Sequence, residues 1–139
     1  MNKQRFDRLF GNMERVSIGV LGDFCLDVYW EADMTKSQLS RETSYYTLPV
    51  VRERISLGGA GNVAANIASL FPVKLSVFGV TGRDWRRREL TGLLHAIGAD
   101  TGGLVQDAER FTNAYVKPLR RGLSGELNED ARLDFEPQQ

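Results

Sequence analysis

The chain has 139 residues, enough for about one domain, with 42% hydrophobic and 26% charged residues. Eighteen Lys and Arg balance eighteen Asp and Glu, so no net field favours nucleic acid or an anionic membrane. No apolar run reaches the roughly 18 residues of a membrane span, no signal-peptide core opens the chain, and the single cysteine, Cys25, excludes a disulfide framework and a cysteine-based zinc site; this is the composition of a cytoplasmic globular domain.

Phe6, Leu9, Phe10 and Met13 recur at helical spacing among charged residues, which predicts an amphipathic helix ending near Gly11-Asn12. Residues 16–22 form a short apolar run closed by Gly22-Asp23, the pattern of a buried parallel strand whose carboxyl end opens into a site. Residues 28–57, with Tyr29-Trp30, Tyr45-Tyr46 and an alternating stretch over 50–55, predict partly exposed β structure, and Pro49 assigns part of it to a sheet edge. The small residues after Gly58 start a helix that Pro72 stops.

Residues 73–80 predict a second core strand. Asp84 then caps a helix with Leu90, Leu93, Leu94 and Ile97 on one face, and Gly98 closes it. Beyond Ala99 the pattern turns to β, with strands expected at 111–119 and 131–135 around a polar, glycine-containing stretch. The order describes an α/β core with an excursion of exposed β structure. Sheets that begin this way normally continue through further βα units, so the chain reads as incomplete.

Two constellations carry chemistry. Asp23 and Asp27 lie at the carboxyl end of the first strand, where open α/β sheets hold ligands; such carboxylates accept hydrogen bonds from polyol hydroxyls, or serve as a cap and a surface charge. Gly58-Gly59-Ala60-Gly61-Asn62 lets backbone N–H groups approach a ligand at a helix start, and Asn62 offers both donor and acceptor. The same glycines also suit a plain tight turn against a neighbouring strand. The spacing matches neither a Walker A loop nor a dinucleotide fingerprint.

The remaining conspicuous residues take blander roles. Cys25 reads as a small buried hydrophobe and His95 as a solvated helix residue. Arg86-Arg87-Arg88, set against the helix dipole, reads as a solvated face. Asp84 reads as a cap rather than a metal ligand, and Tyr29, Trp30, Tyr45 and Tyr46 as packing or interface aromatics.

In order, Gly22-Asp23-x-x-x-Asp27, Gly58-Gly59-Ala60-Gly61-Asn62-Val63-Ala64 and Gly79-Val80-Thr81-Gly82-Arg83-Asp84 resemble the PfkB (ribokinase-like) sugar-kinase family over roughly residues 16–136. Leu26-Asp27-Val28-Tyr29-Trp30, the run 62–70 and Arg132-Leu133-Asp134-Phe135-Glu136 resemble its heptose-7-phosphate kinase branch most. The resemblance implies the N-terminal part of a three-layer α/β/α fold with a small β-sheet lid. The core would take in about 1–27 and 58–105, and the lid about 28–57 and 111–136. It implies that Asp27 holds sugar hydroxyls, with Asp23 ranked below it, that Gly58, Gly59 and Asn62 line the sugar pocket, and that Lys117 meets a phosphate or hydroxyl of the substrate.

ATP and Mg²⁺ are the implied cofactors, a sugar or sugar phosphate the substrate, and a homodimer through the lid the assembly. Some positions depart from the branch. Ser40-Arg41-Glu42-Thr43 stands where Ser-Pro-Glu-Ala-Pro is usual, Asn128-Glu129-Asp130 where a Gln-Gln pair is usual, and Phe71 and Arg87 where glycines are usual. The family's Asp-Thr-x-Gly-Ala-Gly-Asp signature, which supplies the anion hole and the base, has no match; Asp100-Thr101-Gly102-Gly103 begins alike but does not continue. The expectation is a sugar pocket and lid without the catalytic base or most of the ATP site, inactive alone. The rival expectation is a non-catalytic carbohydrate-binding or dimerisation module.

Overall fold

Two sheets meet along the chain in the computed structural model, which describes residues 2–137. The first is parallel, in the order β1 (Ser17–Leu21), β4 (Lys74–Thr81), β5 (Ala99–Gln106). The second has β2 (Phe24–Asp33) at its centre, flanked by β3 (Val50–Gly59) and β6 (Ala114–Arg121); β7 (Leu127–Glu129) and β8 (Leu133–Phe135) share the outer side of β6. Pro49 precedes β3, which is an edge strand as its sequence predicts.

Helix α2 (Ala60–Ala68) crosses from β3 to β4, and α3 (Trp85–Ala96) from β4 to β5. Because the strand order advances in one direction, right-handed crossovers set both helices on one face of the parallel sheet. Alternation along the strands agrees. Val20, Leu75, Val77 and Leu104 are buried beneath the helices, together with Leu90 and Leu94 of α3. Each such side chain contributes about 1.5–3 kcal/mol relative to exposure. The opposite face bears Leu21, Phe78, Val80 and Val105, with Leu21 82% exposed. Among the described residues the third layer of a three-layer sandwich is therefore absent.

Local signals end the helices where expected. Asp84 accepts the Arg87 N–H at 3.1 Å, capping α3, and Gly98 adopts φ +77° beyond its end. Helix α2 ends earlier than the proline predicts, at Ala68, because the chain turns left-handed at Phe71 (φ +55°), a position that favours glycine.

The first helix, α1 (Lys3–Gly11), ends where its sequence predicts and is capped by Asn2, which the sequence reading did not single out. Its stripe of Phe6, Leu9 and Phe10 stays exposed and is covered by no other described element. Tyr45 and Tyr46 likewise stand in solvent instead of packing. The arginine run departs further: Arg88 is exposed as expected, whereas Arg86 and Arg87 are drawn inward, Arg87 Nε donating to Thr81 Oγ1 at 3.2 Å. Their partners come from segments about 20 to 50 residues further along the chain as well as from Thr81 and Asp84 just before α3, so the local charge pattern does not reveal them.

Candidate functional site

Strand register assembles the site. In β2 alternate residues share a face, so Asp27 and Tyr29 project together. Asp27 lies opposite Ser56 of β3 and Tyr115 of β6, and Tyr29 lies opposite Arg54 and Lys117. Lys117 is thus a diagonal neighbour of Asp27, within reach of a long side chain. Its Nζ donates to Asp27 Oδ1 at 2.8 Å and to Tyr29 Oη at 3.2 Å, with both charged groups about four-fifths buried. The hydrogen bond to Asp27 holds the Lys117 ammonium above its ordinary pKa, against the opposing effect of burial. On the same face the Arg54 guanidinium stacks 4.0 Å from the Tyr29 ring centre.

The glycines explain how closely the elements approach. A Cβ on Gly58 would stand 2.7 Å from Cys25 Sγ and 3.0 Å from Asp27 Oδ2. Gly59 adopts φ +52°, and a Cβ there would stand 2.6 Å from the Asp23 carbonyl oxygen. That carbonyl accepts the Ala60 N–H at 3.0 Å, tying the end of β1 to the start of α2. No side chain caps α2, so its first amides lie beside Asp23 and Gly58 with only backbone partners, and Asn62 stands exposed on this first turn. Cys25, beneath Gly58, is buried as expected; burial, reinforced by the Asp27 charge, pushes its thiol up to about 11.

Asp23, Asp27, Gly58, Gly59 and Lys117 are thereby drawn to one junction, with Asn62 on the adjoining helix turn. Sequence reasoning missed Arg54 and Tyr115, whose alternation with Ser56 and Lys117 was the available signal. It also missed a hinge below the site. Thr112 Oγ1 accepts the Gly82 N–H at 3.0 Å, and the Thr112 N–H is donated to Asp84 Oδ2 at 3.0 Å. Asp84 therefore caps the helix, as predicted, and also anchors the segment entering β6. A cavity of about 670 Å³ opens on the far side of this hinge, lined by residues including Asp107, Arg110, Phe111 and Glu136, and by none of the predicted site residues. Among the described residues no three His, Cys, Asp or Glu side chains converge to hold a metal ion, and no helix is long and apolar enough to cross a membrane.

A parallel βαβαβ unit joined to a second, mixed β sheet, with a carboxylate and a glycine-led helix start at the junction, defines the ribokinase-like carbohydrate-kinase fold. The carbohydrate kinase from Agrobacterium tumefaciens superposes with a TM-score of 0.64 at 20% identity, over 85% of this chain and 34% of that one. Ribokinase from Cryptococcus neoformans, solved with ADP, superposes with a TM-score of 0.55 at 19% identity, over 84% and 33%. In sequence, the bifunctional protein HldE of Geobacter sulfurreducens is 35% identical over 123 residues, which are 86% of this chain and 24% of that protein. HldE of Helicobacter pylori is 34% identical over 129 residues, 84% and 27% respectively. No family model matches the chain. The fold is that of the ribokinase-like carbohydrate kinases and the sequence is similar to the HldE proteins, of whose length the chain spans about a quarter.

Proposed function

We propose that the chain forms the sugar pocket and lid of a kinase that transfers the γ-phosphoryl group of ATP to a hydroxyl of a sugar or sugar phosphate. The observation that carries this reading is the Asp27–Lys117 pair beside the glycine-led, side-chain-uncapped start of α2. Asp27 keeps one carboxylate oxygen against Lys117 and has the other to accept from sugar hydroxyls. Gly58 and Gly59 let the sugar approach backbone, the first amides of α2 donate to its oxygens, and Asn62 hydrogen-bonds in both directions. Asp23 closes the pocket's edge, and Lys117, on the lid strand, is the cation available to a substrate phosphate.

The core is assigned to about 1–27 and 58–105, and the lid to about 28–57 and 111–136. Phosphoryl transfer depends chiefly on positioning and charge neutralisation. These residues orient the acceptor hydroxyl and, as the lid settles, keep water from it. Mg²⁺ accompanying ATP would supply neutralisation of phosphate charge; among the described residues no three His, Cys, Asp or Glu side chains converge to hold it by themselves. The described residues also lack the Gly-Ala-Gly-Asp base, so this chain alone is inactive. The unpaired outer side of β3, with Val50 and Val51 exposed, supports pairing of two lids in a homodimer. The setting is the cytoplasm.

The test is thermal shift and calorimetry with hexoses, pentoses and heptose phosphates, with ADP release measured in parallel under Mg-ATP. One sugar class is expected to raise the melting temperature without turnover, and Asp27→Ala to abolish the rise. A rise that survives Asp27→Ala, or no response to any sugar, refutes the pocket. Turnover by the chain refutes the missing base.

A further inference from the structure

A helix N-terminus carries positive partial charge and disfavours cations in its first turn. Arg86 nevertheless occupies that turn of α3 with its side chain only 13% exposed. Its guanidinium lies 3.6 Å from the Asp84 carboxylate and 3.8 Å over the ring of Phe135, with Phe111 at 5.8 Å and Trp85 at 5.0 Å. Phe111 and Phe135 meet edge to face at 6.2 Å. Phe135 belongs to β8 and Phe111 leads into β6, so a cation on a core helix is clamped by two rings from the mixed sheet. The neighbouring Asp84–Thr112 and Gly82–Thr112 hydrogen bonds fasten the same corner.

The other corner is built differently. There the chain passes between the sheets at Asp23 and Gly58-Gly59, where the Ala60 N–H donates to the Asp23 carbonyl oxygen and the buried Phe24 and Leu57 pack into the shared core, with no charged or hydroxyl side chain bridging among the described residues. The site spans both corners. Gly58, Gly59 and Asn62 stand on the glycine side, Lys117 on the fastened strand β6, and Asp27 on β2 between them.

We propose that Arg86 is a positioning residue for the sugar pocket: by clamping β6 and β8 to α3, it fixes the stance of the mixed sheet in which Asp27 and Lys117 face the start of α2. It touches none of the pocket residues, so it acts through the sheet. The apparent affinity for a sugar then scales with the fraction of molecules holding that stance. This inference rests on the sugar-pocket reading and adds to it the element that sets its affinity.

The test uses the full chain with Arg86→Ala, Arg86→Lys and Arg86→Met, the last keeping the apolar stem should alanine prevent folding. Binding of D-ribose, D-fructose and a heptose 7-phosphate is measured by calorimetry, and amide exchange is followed strand by strand. A folded Arg86→Ala or Arg86→Met chain is expected to bind sugar about five- to tenfold more weakly. Exchange is expected to quicken in β6 and β8 but not in β4, and Arg86→Lys to recover most of the affinity. A folded alanine or methionine variant with wild-type affinity overturns the inference while leaving the pocket intact. A wild-type chain that binds none of the three probes overturns the pocket and this inference with it.

Discussion

Replacing Thr112 with valine tests the hinge between the two sheets with almost no change of shape. Thr112 is fully buried, and its Oγ1 accepts the N–H of Gly82, itself buried and 30 residues away in sequence. Gly82 has no room to move: a Cβ there would stand 2.4 Å from the Arg110 carbonyl oxygen. Valine preserves the volume but leaves that N–H without an acceptor and out of reach of water, a cost of about 1–3 kcal/mol. Serine keeps the acceptor and loses a buried methyl group, worth about 0.8 kcal/mol. For a chain of this size the valine variant should therefore melt about 3–12 °C lower, and the serine variant only about 3 °C lower. Urea unfolding followed by circular dichroism, with midpoints compared at equal slope, reads the difference. A valine variant as stable as the wild type would show that the hydrogen bond across the hinge contributes nothing, and the argument for a fastened corner would fail.

Phe71→Gly should raise stability by about 0.5–1 kcal/mol, because glycine adopts the left-handed conformation without steric cost while a ring that is 75% exposed has little burial to lose; a lower urea midpoint would contradict this. Acid should act on Asp84 in a defined direction. Burial raises its pKa, but hydrogen bonds from Thr112 and Arg87 and the charge of Arg86 outweigh that and hold it below 3.8. A depressed carboxylate stabilises the fold above its unfolded pKa and loses that contribution as pH falls through the folded value. The stability gap between wild type and Asp84→Asn should accordingly be constant from pH 7 to 5 and shrink below about pH 4; a gap that stays constant down to pH 3 would refute it.

Features decided between neighbouring residues were legible in the chain. Helix bounds at Gly11, Asp84 and Gly98 follow from caps and backbone conformations that act within one turn. The edge character of β3 follows from a proline, and the βαβ order from apolar runs and their spacing. Gly58 and Gly59 were recognisable because close approach and positive φ leave few alternatives to glycine. The motifs at Asp23, Asp27 and Asn62 were legible as a set, although nothing in them revealed that Lys117, 90 residues away, pairs with Asp27.

Tertiary structure decided the remainder. The pairing of Asp27 with Lys117 depends on the register of two strands that are remote in sequence, and a shift of one residue would send the lysine to the other face. The stripe on α1 is as periodic as that on α3, yet α3 buries Leu90 and Leu94 while α1 meets nothing among the described residues. Periodicity states that a helix has an apolar face; it does not state what lies opposite. Arg86 is the sharpest case, since a cation that the helix dipole disfavours is held by a carboxylate of its own helix cap and by aromatic rings from the mixed sheet. Local sequence sets the dipole, and only the packing of one sheet against the other supplies the rings that outweigh it.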